Sequence, residues 1–276
     1  WPLDLDPGDV AGRGALAGRL AHWQEKALRE AKLESDWADI NGAYEAAART
    51  FTRRLVAEAA LPEMLGEIFD FIRRIAPAGA INGLAQCLLK FTVPGVPDLY
   101  QGCDLWDFSF VDPDNRRPVD FELRARSSKP DDLAELAASW RDGRIKQHLI
   151  RRVLALRRQV PELFATGDYT PLFIEGEGAR SAIAFLRRTE RHWMLVVAPR
   201  LMLGKLSPDG GLGLSSDAWK GLTLALDAAP PSTALYDWLG GGVVEMLHRR
   251  VDLDLLCGTL PLALVSTVAP AHPHDC

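Results

Sequence analysis

Apolar positions in the first 75 or so residues recur every three or four places, the spacing of a helix with one buried stripe. Leu16, Leu20, Trp23 and Ala27 form one stripe. Tyr44, Ala48, Phe51 and Leu55 form a second, after Asn41, a residue suited to cap a helix N-terminus. Leu65, Ile68, Phe69, Ile72 and Ile75 form a third. The next segment, AGAINGLAQCLLKF from Ala78 to Phe91, is apolar almost all round and predicts a well-buried helix. Pro94 and Pro97 bar its continuation, and a short strand is predicted around Asp98 to Gln101. Further on, Leu149, Val153, Leu156 and Val160 mark the buried face of another helix, whose arginines read as a solvated opposite side.

From Thr170 the period changes. The runs PLFIE, SAIAFLR, HWMLVVA, LTLAL, ALYDWL, VVEML and LALVST are short, β-rich and separated by Gly, Pro, Asp and Ser. They predict an all-β antiparallel sandwich of about seven strands, with a domain boundary near Leu163 to Gly167. In a parallel barrel the chemistry sits on loops after the strands. A strand at 98–101 followed by a richly loaded loop therefore predicts the last βα unit of a TIM-type α/β barrel. The expected organisation is a helical insertion over 1–77, the last part of a (β/α)8 barrel over 78–165, and the C-terminal β-sandwich over 166–276.

Composition narrows the function classes. Charged residues make up 25% of 276 and the formal net charge is −5, which argues against nucleic acid or an anionic membrane as the main partner. No apolar run reaches the roughly 20 residues of a membrane span. Cys87, Cys103, Cys257 and Cys276 lack a short paired spacing, which speaks against a zinc knuckle or disulfide scaffold and suits the cytoplasm. His272 and His274 read as a frayed tail and not as a metal site, and no metal or cofactor is expected. The opening WPLDLDPGDV has no Met, as if cut from a longer chain.

The loop PGVPDLYQGCDLWDFSFVDPDNRRPVD, from Pro94 to Asp120, carries most of the chemistry. Aromatics, carboxylates and guanidinium groups together suit a ligand that is polar at its edges and apolar on its faces, as a sugar chain is. Tyr100 and Trp106 are candidates for stacking on glucose rings. Trp106 reads equally as a buried anchor. Arg116 and Arg117 can donate paired hydrogen bonds to hydroxyls or to a carboxylate, or one of them can pin Asp112 or Asp114 to shape the loop. Gln101, Asp104, Asp112, Asp114 and Asn115 complete the loop's candidate substrate contacts. Asp112-Pro113 and Asp114-Asn115 are also ordinary turn formers. Lys32 and Trp37, in the polar segment AKLESDWADING, are the remaining candidate pair and read equally as a surface lysine and a packing tryptophan.

The order helix, PGVPDLYQG, WD, DPDNRRPVD resembles the end of the barrel in the α-amylase superfamily. GAINGLAQCLLK before it, REAKLESDWADINGAYEAA upstream, and VPELFATGDYTPL and LPLALVST after it are similar to the maltooligosyltrehalose synthase family. The resemblance implies an intramolecular transglucosylase turning the reducing-end α-1,4 linkage of a maltooligosaccharide into an α,α-1,1 linkage. Such chemistry needs a nucleophilic carboxylate and a carboxylic acid/base. In that family these groups, and a third aspartate in an HD motif, lie on earlier barrel strands. No residue here matches them, so no catalytic residue is assigned. The expected partners are a maltooligosaccharide and a separate N-terminal barrel segment, without which the chain is expected to be inactive. Its apolar surface from Ala80 to Leu89 is then expected to be exposed. In the resemblance Lys32 and Trp37 would close over the reducing-end glucose, and Asp104 stands where the family has Glu. Rival readings are an amylase-like hydrolase or phosphorylase, and a non-catalytic maltooligosaccharide-binding module built on the sandwich.

Overall fold

The computed structural model describes residues 1–126, 132–226, 234–245 and 250–271. The chain divides into two compact units, one of residues 1–74 with 107–119, the other of 75–106 with 120–276.

The first unit is helical. Helix α1 (Val10–Ala31) is capped by Asp9, whose carboxylate accepts from the Gly12 amide, and ends at Lys32 in the left-handed conformation, φ 54°. Helix α2 (Gly42–Thr52) starts at Asn41, whose side chain accepts from the Tyr44 amide, as its sequence position predicts. A π-helical turn, Arg53–Ala57, follows α2. Leu16, Ala17 and Val56 form the core between them, with Trp1, Leu5, Leu20 and Leu55 packed around it. The second predicted stripe is only partly the buried one. Tyr44 and Phe51 are exposed, and α2 instead turns Glu45 and Thr52 inward. Burying Glu45 is tolerable because its carboxylate is fully partnered, as described below. The exposed side of α2 leaves an apolar groove of about 610 Å³ lined by Ala47, Phe51, Leu55 and Leu61.

The third and fourth predicted helices are one. Helix α3 runs without a break from Pro62 to Thr92, with Pro77 inside it. A proline removes one backbone bond and usually kinks or stops a helix, but here packing along the apolar length carries it through. Ala80, Ile81, Leu84, Ala85, Cys87 and Leu88 are buried, so the expected exposed apolar surface from Ala80 to Leu89 is not there. Trp106 lies over Gly83, where an added Cβ would meet its ring at 3.3 Å.

In the second unit α4 (Phe121–Arg126), α5 (Leu133–Ala138), α6 (Arg144–Gln159) and α7 (Pro161–Ala165) precede the strands. The α6 face of Leu149, Val153 and Leu156 is buried as predicted. Its arginines are not simply solvated. Arg152 donates to Trp238 O at 2.6 Å and Arg157 to Phe91 O at 2.8 Å, so their stems cover apolar surface while their heads satisfy carbonyls.

The strands are β1 (Asp168–Leu172), β2 (Ile174–Glu175), β3 (Ala182–Arg188), β4 (Trp193–Pro199), β5 (Thr223–Ala225), β6 (Ala234–Asp237), β7 (Val243–Glu245), β8 (Arg250–Asp252) and β9 (Ala263–Ser266). A four-residue helix, α8 (Leu253–Leu256), follows β8. One antiparallel sheet has the order β1-β3-β4-β9-β6-β7 and a second has β2-β5-β8. Helices followed by antiparallel sheets are thus the observed architecture. Each predicted run contains a strand, but PLFIE splits at exposed Phe173 into strands of different sheets. The three-residue β8 was not predicted. All seven residues of β4 are buried, as for a strand covered on both faces. No strand forms at Asp98 to Gln101. The stretch runs into a turn at Gln101 and pairs with no described strand, and a β-strand exists only through such pairing.

Candidate functional site

In the first unit the loop 107–119 is clamped to one face of α1. Arg19, Trp23 and Lys26 lie at helical spacing and all reach the loop. The Arg19 guanidinium donates to both Asp114 carboxylate oxygens, at 2.9 to 3.3 Å, and to Phe108 O at 2.6 Å. Trp23 stacks on Phe110 with ring centroids 5.9 Å apart, and Lys26 Nζ donates to Asp112 O at 2.8 Å. Asp114 also accepts from the Phe110 amide at 2.7 Å. The Arg19 hydrogen bond holds the Asp114 carboxyl below its ordinary range.

Asp112 pairs with Arg116, and Arg117 Nε donates to Asp114 O at 3.0 Å. The two aspartates thus shape the loop from within, while Asn115, Arg116 and Arg117 stand exposed around a single 3-10 turn, Asp114–Arg116. Arg19 and Lys26 were missed by the sequence reading. Their signal was a basic, aromatic, basic pattern on one helix face, readable only once the loop that it grips is known.

The other candidates of this unit, Lys32 and Trp37, lie on the connection between α1 and α2. Its inner side is a charged network. Glu45 is only 5% exposed and receives two bonds from Arg29 at 2.8 Å and one from Ser35 Oγ at 2.6 Å. Ser35 Oγ accepts from the Asn41 amide at 3.2 Å. Asp36 closes a local turn by accepting from the Ala38 and Asp39 amides at 2.6 and 2.7 Å. Arg29 lies 5.0 Å from the centre of the Trp37 ring, whose side chain is otherwise open, 58% exposed.

The hydrogen bond from Arg29, helped by that from Ser35, lowers the Glu45 carboxyl from its ordinary 4.5 to about 2. A lowered acid contributes stability above its unfolded value and loses it as pH falls through the folded one. The 33–40 connection is therefore expected to loosen as pH drops from about 4.5 to about 2. Amide exchange of that segment against pH measures it, and Glu45→Gln should abolish this part of the dependence.

In the second unit Tyr100 and Gln101 lie on an exposed turn closed by the Cys103 amide donating to Tyr100 O at 3.0 Å. The Tyr100 ring is 57% exposed. Asp104 is held at both oxygens, by Arg124 Nε and Gln147 Nε2, each at 2.8 Å. Trp106 donates its indole N–H to Trp140 O at 2.6 Å and has Lys146 at 5.7 Å from its ring centre. Gly143, at φ 83°, lets the chain pass there, since a Cβ would come within 2.7 Å of the Trp106 amide nitrogen. Asp104 and Trp106 thus brace this part of the loop.

Trp193, Trp219 and Trp238 of the β-region are 3%, 3% and 1% exposed, so none presents a face to a ligand. Among the described residues no three or more His, Cys, Asp or Glu side chains are grouped to hold a metal ion, and no helix is long and apolar enough to cross a membrane. His272 and His274 lie outside the described residues.

No family model matches the sequence. A Mycobacterium tuberculosis protein provisionally named maltooligosyl trehalose synthase is 40% identical over 260 residues, 93% of this chain but 29% of its own length. The solved maltooligosyltrehalose synthase of Arthrobacter ramosus matches with a TM-score of 0.69 and 32% identity over 90% of this chain and 30% of that one. A Sulfolobus tokodaii structure, assigned hypothetically to the same enzyme, matches with a TM-score of 0.64 and 25% identity, covering 91% of this chain and 29% of that one. The chain therefore spans about 30% of the length of the relatives that it matches.

Proposed function

We propose that this chain is the substrate-handling end of a maltooligosyltrehalose synthase, a reading that proceeds from its homology, along 93% of its length, to a protein given that name. That similarity is the observation that carries the reading. In it, residues 78–165, from the C-terminal half of α3 through α7, are the last part of a barrel. The nucleophile and the acid/base belong to the part of the relatives that this chain does not span. The reaction is the intramolecular transfer that converts a reducing-end α-1,4 linkage into an α,α-1,1 linkage.

Within that reading the residues divide by what they touch. Trp37 and Tyr100 are the open aromatic platforms on which glucose faces stack. Asn115, Arg116 and Arg117 supply exposed donors for hydroxyls, and Lys32 and Gln101 add polar contacts. Asp104, Asp112, Asp114 and Trp106 keep the loop in shape. The connection bearing Lys32 and Trp37 would shield the freed glucose from water while it turns to re-attack.

The test is complementation. The chain is co-expressed with the remaining part of a related synthase, the pair is purified as one complex, and reducing ends of maltopentaose are followed. A fall in reducing power at constant total sugar supports the synthase reading. A rise assigns hydrolysis instead, and no change in a pair that purifies together overturns both.

A further inference from the structure

We infer that Glu45 is the positioning residue of the Trp37 platform, acting through Arg29 and Ser35 to hold one indole face and leave the other for a glucose ring. The inference rests on the proposed function for the identity of the sugar, and on geometry for the rest.

Glu45 is a carboxylate on the inner face of a helix, where an apolar residue would serve a plain core better. Its partners make sense of it. Arg29 presents a two-pronged bond to the carboxylate, which orients the guanidinium plane as a single ammonium could not. Arg29 also bonds Glu25 at 2.9 Å, and Glu25 accepts from Arg49 at 3.1 Å, so the guanidinium is fixed from two sides. Trp37 rests 5.0 Å from that same guanidinium. Ser35, two residues before the indole, donates to Glu45 Oε1, the oxygen that Arg29 Nε also reaches, and ties down the start of the α2 cap by accepting from the Asn41 amide. One buried carboxylate thus sets both what lies under the ring and where its backbone starts. The titratable groups facing Glu45 are Arg29 and Arg49, with Glu25 beyond Arg29.

The arrangement has the form of a prepared binding surface. An exposed indole on a free loop would sample many rotamers and lose that freedom on binding a sugar. An indole already settled on a fixed guanidinium has lost much of it beforehand.

The full chain labelled with 5-fluorotryptophan tests this, with the Trp37 resonance assigned by Trp37→Phe. Glu45→Gln is compared with the parent without sugar and in a maltopentaose titration. Ser35→Ala serves as a second variant, because it frees one anchor without leaving Arg29 short of its counter-charge. The expected result is a broadened or displaced Trp37 signal in both variants, unchanged Trp193, Trp219 and Trp238 signals, and maltopentaose affinity weakened about tenfold. A Trp37 signal unaltered in both variants, whatever happens to the melting temperature, overturns the positioning role. If that signal responds to the substitutions but maltopentaose moves nothing in the parent, the positioning geometry stands and the sugar-binding reading beneath the inference is what falls.

Discussion

Arg187→Met is expected to lower the stability of the unit containing the sheets by about 3–5 kcal/mol, because several buried carbonyls lose a charged donor at about 1–3 kcal/mol each. Arg187 lies on β3 and is 1% exposed. Its guanidinium donates to Thr92 O at 3.1 Å, to Phe164 O at 3.0 Å, and twice to Gly167 O, at 3.0 and 3.3 Å. Thr92 closes α3, and Phe164 is in the last turn of α7, where terminal carbonyls have no partner within the helix and carry partial negative charge. One side chain therefore completes two helix ends and spreads its charge over three carbonyls. Methionine fills a similar volume but donates nothing, so those oxygens stay buried and unpaired. Lysine keeps the charge without the planar fork and should recover only part of the loss. Urea unfolding at unchanged slope measures it, and a loss below about 1 kcal/mol would mean that other groups or water satisfy the carbonyls.

The second large effect is local. Asp114→Asn should free the loop 107–119 from α1, at a cost of about 2–3 kcal/mol for hydrogen bonds that involve charged groups. The carboxylate joins Arg19 at two nitrogens and receives the Phe110 amide, whereas an amide side chain has one acceptor oxygen and no charge to set against the guanidinium. At about 1.4 kcal/mol per factor of ten, amide exchange over 107–119 should rise roughly 30- to 140-fold. Arg19→Met should do the same, and the double variant should add little, because both remove one interaction. Additive effects would show that Asp114 and Arg19 hold the loop by separate contacts. Since the loop carries Asn115, Arg116 and Arg117, its release should also weaken any maltooligosaccharide contact made there.

The residues legible from sequence and those that were not differ in reach. Asn41 as a helix cap, the buried face of Leu149, Val153 and Leu156, and the seven β-rich runs all express interactions with near neighbours. So does the turn chemistry of Asp112 and Asp114, which indeed bond within four residues of themselves. The failures begin where a distant partner decides. The Asp98 to Gln101 stretch follows two helix-barring prolines, as a strand could, but pairs with no described strand. β8 is three residues long and exists through its pairing with β5. Phe51 fits an inward stripe, yet Glu45 takes the interior because Arg29 and Ser35 meet it there.

By itself, then, the sequence determined the buried stripes of the longer helices, where the β-region starts, which loop concentrates the chemistry, and which family the chain is similar to. Only the tertiary structure decided that Arg19 grips Asp114 and that Arg187 closes Thr92, each across 95 positions of chain. Helical and strand periods, caps and turns act within about four residues, so pattern records them. An ion pair or a capped carbonyl depends on where two remote segments end up, and no local pattern carries that distance.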